Sequence, residues 1–335
     1  LGQYDGIVWP VRTTVWPTQN TAGTPRISQY VPLNKASKTW VICVAVPTRQ
    51  IEYYENIFTG ARVHAASARV SIKPNSGPPS TTSVTQAAVV RSCAANSDAL
   101  VLAPVLDNNT ATAYTRLLAD EKAAGKPVII TSPGIDGANI SASVSPVPRL
   151  GTTQLGHWLN ALADGTNGKV IILAGPKGQP QGESLVAGLV STFPGSNLSL
   201  AGVYYGSLQP ATQTALVAQA IREHPDAKYV VGVAGGIGPA AKLLKGGMAS
   251  DTHVLASLTY NQAIADLIKN GRVAVAIDDR AVAQGAIGVD LAIRVLQGAH
   301  PPAVWAPEAQ LIDSTSITYL DQSGSLSEAL FASGS

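Results

Sequence analysis

The stretch TWVICVAVPTRQIEYYENIFTGARVHAA, residues 39–66, constrains this chain more than any other. Residues 40–46 are a run of Val, Ile and Cys without polar alternation, the mark of a strand covered on both faces inside a parallel sheet flanked by helices. Pro47 ends the run, and an amphipathic pattern from about Glu52 predicts a helix. Strand, short loop and helix make the opening βα unit of an α/β domain. Open sheets of this kind take ligands beyond the carboxyl ends of their strands, and Tyr53 and Tyr54 stand at that place.

The alternation continues. Strands predicted at 69–73, 99–103 and 127–131 are separated by helices at 80–95 and 110–124, which implies parallel βαβ units. The segment SPGIDGANISASVSPVPRLG is rich in Ser, Pro and Gly, has no helical pattern, and reads as a crossing to a second domain. There the scheme repeats: helices at 152–164, 182–192, 209–223, 237–246 and 261–270 alternate with strands at 169–174, 199–204, 228–233, 253–258 and 273–277. A helix at 281–297 and a strand at 309–318 follow. At 335 residues the chain is too long for one ordinary core. The fold class expected is α/β, with two doubly wound parallel-sheet domains joined by a three-crossing hinge. The first comprises 39–135 plus 279–300 and the second 148–278 plus 301–320, with crossings near 135–150, 278 and 300. Residues 1–38, with four prolines and scattered aromatics, read as an extended arm in which Trp9 and Trp16 are packing anchors, and 321–335 read as a tail.

Composition excludes several functions. A net charge of +2 without a basic run leaves nothing to neutralise phosphates, so no nucleic-acid partner is expected. No apolar run reaches the ~20 residues of a membrane span. The chain does not start with Met or with a charged and then apolar leader, and reads as a mature form whose signal peptide is removed. Cys43 lies in the first strand and Cys93 near the end of a helix packing beside it. They form either a buried thiol pair or, as expected here, a disulfide, which places the protein in an oxidising compartment such as a periplasm.

No cofactor and no metal are expected. The five histidines are scattered, no two at helical ligand spacing, and no G-x-S-x-G elbow occurs. The loop GPKGQPQGES at 175–184 lacks the end of a phosphate-cradling P-loop. Gly236, Gly238 and Ala241 fit the dinucleotide fingerprint G-x-G-x-x-A, but the unit comes late and the next strand ends without an acidic residue for a ribose. A nucleotide-dependent enzyme built on this GGIGPA loop is therefore the alternative reading. Asp107, Asp136, Asp278 and Asp279 lie at predicted strand ends. Of the last pair one is expected to cap the following helix, and Asp279 is favoured as a ligand contact. A lone carboxylate among aromatics is a binding set, whereas hydrolysis usually wants two facing carboxylates.

Four stretches carry a resemblance: WVICVAVP with Cys43, QAAVVRSCAANSDALVLAP with Cys93, REHPDAKYVVGVAGG at 222–236 and NGRVAVAIDDRAVAQGAIGVDLAIRVLQG at 270–298. Together they resemble the type I periplasmic binding proteins, most closely the TorT-like branch that partners a sensor histidine kinase detecting trimethylamine N-oxide. The resemblance implies a non-enzymatic periplasmic protein that closes like a Venus flytrap on a sugar, osmolyte or small amine and presents it to a sensor kinase or an ABC transporter permease. It also implies a monomer, or a dimer with a receptor. Ligand contacts are implied at Tyr53, Tyr54 and Asp279, at the second-domain strand ends near Tyr205, Ala234, Gly235 and Tyr260, and at the hinge entry by Arg149. The chain departs from the branch where Tyr54 matches an expected Trp and where Pro148 or Arg149 matches an aromatic. Cation–π attraction weakens from Trp to Tyr and vanishes at Pro, so a methylated ammonium would be held less well. A repressor-type effector domain shares the fold, but no DNA-binding helix pair opens this chain.

Overall fold

A computed structural model describes residues 2–4, 7–21, 23–178, 180–244 and 253–317; the tail at 321–335 lies outside them. Two compact units emerge. Among the described residues, the first holds those up to Pro146 together with Arg280–Glu308, and the second holds Val147–Asp279 together with residues 309–317.

The first unit is an eight-stranded sheet, and strand Val41–Val46, one in from its edge, is buried on both faces. From one edge the order is Arg26–Tyr30, Val11–Trp16, Val304–Pro307, Ala142–Val144, Val128–Thr131, Ala99–Leu102, Val41–Val46 and Ser71–Ser76. The strands from Ala142–Val144 to Ser71–Ser76 run parallel. Side chains of a strand alternate between faces, and those of Val41–Val46 do so into two cores. Ile42, Val44 and Val46 pack with residues of helices Glu52–Ala68 and Ala281–Leu296. Cys43 and Ala45 pack with Ala87 and Val90 of helix Ser83–Ala95 and with Leu117 of helix Thr115–Ala123. On that second face Cys43 is bridged to Cys93, with Cα atoms 5.7 Å apart.

Helices Glu52–Ala68 and Ala281–Leu296 touch backbone to backbone. A Cβ on Gly60 would lie 1.8 Å from the carbonyl oxygen of Val282, and one on Gly285 would lie 1.8 Å from that of Ile57. Only glycine permits so close an approach. Beneath the crossing lies a buried polar knot. Asp290, with no exposed surface, accepts hydrogen bonds from the Tyr30 hydroxyl (2.6 Å), the Leu33 N–H (2.8 Å) and Arg294 Nε (2.6 Å), and meets His64 Nε2 at 3.0 Å.

The second unit is a six-stranded sheet in the order Leu198–Tyr205, Gly168–Gly175, Ala227–Gly232, Val254–Ser257, Val275–Asp278 and Gln310–Asp313, parallel except for the last strand. Helices Pro148–Ala163 and Pro180–Val190 cover one face, where Leu155, Leu159, Leu185 and Leu189 meet Val170, Ile172 and Val231. Helices Pro210–Glu223, Ala234–Leu243 and Gln262–Lys269 complete the α/β alternation.

Three expectations need correction. Residues 1–38 are not merely an extended arm, because Val11–Trp16 and Arg26–Tyr30 are ladder strands of the first sheet. Pro10, Pro17, Pro25 and Pro32 bracket those strands without interrupting them, while Trp9 and Trp16 are buried as packing residues. Residues 301–308 belong with the first unit rather than the second, since Val304–Pro307 pairs with Val11–Trp16 and Ala142–Val144. The Ser/Pro/Gly segment after Thr131 holds the short strand Ala142–Val144, whose small residues hid it, and the next helix starts at Pro148, where proline suits a first helical position.

Candidate functional site

In each unit the candidate residues gather at one end of the parallel strands, the carboxyl end. In the first unit the loop after Val41–Val46 leads into helix Glu52–Ala68, whose first turn carries Tyr53 and Tyr54, both half-buried. Their rings meet edge to face with centroids 5.4 Å apart. Tyr53 donates its hydroxyl to Oε1 of the fully buried Gln284 at 3.0 Å, which fixes the ring. Burial raises the Tyr54 hydroxyl above its ordinary value, so it stays protonated and able to donate. Beside them Arg49 grips Glu55 through two bonds of 2.6 and 2.7 Å and covers the Phe58 ring.

Asp107, after strand Ala99–Leu102, is held by other work. Its carboxylate accepts from the Ser83 hydroxyl (2.7 Å), the Ser83 N–H (2.8 Å) and the Asn109 N–H (2.8 Å). The Ser83 hydroxyl and N–H pull its pKa below the usual carboxylate value. Its charge therefore serves the start of helix Ser83–Ala95, a position that favours an anion. Asp136 is exposed in the loop between Thr131 and Ala142.

In the second unit Tyr205 closes strand Leu198–Tyr205 and donates to Glu183 at 3.1 Å. Burial, with Glu183 adding to it, raises its hydroxyl pKa. Ala234 and Gly235 open helix Ala234–Leu243, and the Ala234 N–H donates to the Thr259 hydroxyl at 2.9 Å. Tyr260, next to that threonine, is half-buried after strand Val254–Ser257, and Arg149 is exposed in the first turn of helix Pro148–Ala163. Asp279 follows strand Val275–Asp278 and keeps some exposure as a residue. Burial of its carboxyl, and then the neighbouring Asp278 carboxylate, push its pKa up to about 7.

Two expectations about local roles change. Neither aspartate occupies the cap position of helix Ala281–Leu296, because Arg280 fills it in a left-handed conformation (φ 57°) without a capping side chain. The helix begins instead with Gln284 N–H donating to the Arg280 carbonyl at 2.9 Å. The glycines of the dinucleotide fingerprint lie inside helix Ala234–Leu243 rather than in a turn before it. A Cβ on Gly236 would come within 3.1 Å of the Leu173 side chain, so this glycine serves helix-to-sheet packing.

The sequence did not single out Ser132 or Arg280. Both are buried, and both hold positive φ (76° and 57°) directly after strands Val128–Thr131 and Val275–Asp278 or one residue beyond. Such backbone strain in a non-glycine residue gathers at functional sites. For Arg280 the signal was an arginine following two aspartates between strand and helix; Ser132, in an ordinary Ser-Pro-Gly, carried none.

Two α/β units, each presenting polar and aromatic groups at the carboxyl ends of parallel strands, have the type I periplasmic binding protein fold. The chain belongs to the family described as periplasmic binding protein domain, whose profile matches residues 42–300. Among curated relatives, the periplasmic protein TorT of Escherichia coli strain K12 is 25% identical over 266 residues, 79% of this chain and 75% of TorT. Among solved structures, an ABC transporter solute-binding protein from Bradyrhizobium sp. BTAi1 with bound bis-tris superposes with a TM-score of 0.89 at 24% identity. That match covers 95% of this chain and 96% of the other. The complex of the TorS sensor domain with TorT, in the absence of ligand, matches with a TM-score of 0.70 at 18% identity over 83% and 94% of the two chains. No helix among the described residues is long and apolar enough to cross a membrane.

Proposed function

We propose that this chain is a periplasmic small-molecule binding protein that closes on a polar ligand, a sugar, osmolyte or small amine, and presents it to a membrane partner without chemistry of its own. One observation carries the reading: Tyr53 and Tyr54 in one unit, and Tyr205, Tyr260 and Asp279 in the other, follow or close parallel strands at their carboxyl ends, where open α/β sheets bind ligands. Asp279 supplies an acceptor for hydroxyl or ammonium groups, and the tyrosines supply flat apolar faces with hydroxyls at their rims. A sensor kinase and an ABC permease both fit as the partner. The first has support from the likeness to TorT and the second from the likeness to the Bradyrhizobium protein.

A thermal-shift screen of sugars, amines and osmolytes tests this, with NAD and ATP included for the nucleotide-enzyme alternative. A ligand at 100 times its dissociation constant adds about 2.7 kcal/mol of stability. A response confined to NAD or ATP would overturn the reading. With a ligand in hand, Asp279→Asn measured at pH 8, above the raised pKa of this carboxyl, is expected to weaken binding by about 1.5–3 kcal/mol, the range for a hydrogen bond to a charged group; an unchanged affinity in calorimetry at that pH removes Asp279 from the site.

A further inference from the structure

The eight-stranded sheet has two outer strands, and they are built differently. Ser71–Ser76 carries Lys73 and Pro74, the charge and the missing N–H with which natural sheets blunt an edge. The opposite edge, Arg26–Tyr30, has no proline within it and a single charge at its first residue. Among the described residues it is paired on one side only, to Val11–Trp16. Ile27 within it and Val31 just past its end stand 57% and 59% exposed, and an exposed apolar edge strand is of the kind that templates another strand.

At the carboxyl end of this strand Gln29, Tyr30 and Val31 share a cavity of about 350 Å³ with Arg294, His300 and Trp305. Its aromatic wall is preset, because Tyr30 and Trp305 meet edge to face at 4.8 Å and the Trp305 N–H is engaged by the Pro302 carbonyl at 3.0 Å. Arg294 is anchored from behind by Asp290 and by the Val31 carbonyl (2.7 Å). Its side chain is 31% exposed, so part of the guanidinium reaches solvent. Residues 19–38 include Arg26, Lys35 and Lys38 but no Asp or Glu, and the one carboxylate beneath the cavity, Asp290, is wholly buried. Arg12, on the adjacent strand, already has Glu308 at 3.2 Å.

We propose that the Arg26–Tyr30 edge is a docking site for an extended acidic segment of a partner protein. The segment adds as an outer strand, rests one apolar side chain against Tyr30 and Trp305, and sets a carboxylate on Arg294. In strand addition the main chain provides affinity while pockets for side chains provide specificity. A carboxylate on a guanidinium is the stronger, charge-assisted kind of hydrogen bond. The surface lies within one unit and largely outside residues 42–300, the part shared with the family, so it is independent of the ligand reading above.

The test is fluorescence anisotropy on the intact protein, with a fluorescein-labelled peptide of alternating Asp and Val around a central Phe as probe, and a Lys-for-Asp version as control. Saturable binding of the acidic peptide is expected, weakened at least tenfold by Val31→Asp and by Gln29→Pro and unchanged by Lys73→Asp on the other edge. Should Gln29→Pro unfold by circular dichroism, Ile27→Asp takes its place, because that side chain is in solvent. Absence of binding overturns the proposal, as does equal binding of the basic peptide or an equal loss with Lys73→Asp. A dimer in sedimentation that Ile27→Asp dissolves would also overturn it, assigning the edge to a second copy of this chain.

Discussion

The hydroxyl of Tyr30 donates to the carboxylate of Asp290 across 2.6 Å of space and 260 positions of sequence. The bond joins an edge strand near the start of the chain to the most buried helix of the first unit, and Leu33, His64 and Arg294 close the same knot. Removing Asp290 strips the buried Tyr30 hydroxyl and the Leu33 N–H of their acceptor and the part-exposed Arg294 of its counter-charge, so Asp290→Ala is expected to cost about 1–3 kcal/mol in urea unfolding. A loss under 1 kcal/mol would show that the knot does not carry the strand.

The same group predicts an acid limb of stability. Burial alone would raise the Asp290 pKa, but the bond and charge of His64, with Arg294 and Tyr30, hold it below the ordinary value. A depressed carboxyl stabilises above its unfolded pKa, about 3.9, and loses that contribution as pH falls through the folded value. Wild-type stability should therefore fall below about pH 4 more steeply than that of Asp290→Asn. Parallel acid limbs in the two proteins would refute the assignment.

Asp279 has the opposite sign. Its pKa is raised to about 7 by burial and by Asp278, so the unfolded chain releases this proton near pH 4 while the folded one keeps it. Stability drains away as pH rises from about 4 to 7. Asp279→Asn should thus gain stability relative to wild type at pH 8 and gain less at pH 5, read as the difference in melting temperature at the two values. An equal effect at both would mean that the carboxyl is already ionised at pH 5.

Gly60→Ala and Gly285→Ala each place a methyl group 1.8 Å from a backbone oxygen of the facing helix. The gain in helix propensity is about 1 kcal/mol, and the forced separation of two packed helices outweighs it; overpacking costs about 1–3 kcal/mol. Both variants are expected to melt lower than wild type. A rise in melting temperature for either would mean that the crossing relaxes freely.

Cys43 and Cys93 close a loop with a sequence separation of 50. In the chain-entropy account such a bridge contributes about 4 kcal/mol. The double variant Cys43→Ala, Cys93→Ala should lose stability of that order in denaturant melts, and alkylation without reductant should label no cysteine in the oxidised protein.

Much of the architecture was legible because its signals are local. Apolar runs such as VICVAV and VIILA mark strands buried on both faces, and Pro210 marks a helix start. The strands Val11–Trp16 and Arg26–Tyr30 were not legible. The sheet partner of Val11–Trp16, Val304–Pro307, is nearly 300 residues away, and RISQY, which pairs with Val11–Trp16, shows only a weak half-exposed pattern. The site was legible as places rather than as roles. Tyr53 follows directly from the first βα unit, but nothing local says that Gln284 fixes its hydroxyl, that Asp107 serves a helix start, or that Arg280 takes a left-handed backbone.

The pairing of Val304 with Trp16 bears on the order in which the molecule is made. On the ribosome, residues 147–279 can assemble most of the second sheet before the first has its helix Ala281–Leu296 or its strand Val304–Pro307. The unit whose residues emerge first is thus completed late. Until then strand Val11–Trp16 lacks its partner Val304–Pro307 and helix Glu52–Ala68 lacks its neighbour Ala281–Leu296, and contacts this distant in sequence form slowly. A chain available only as far as about residue 300 is therefore the species most exposed to aggregation, and the one for which a holding chaperone would matter most.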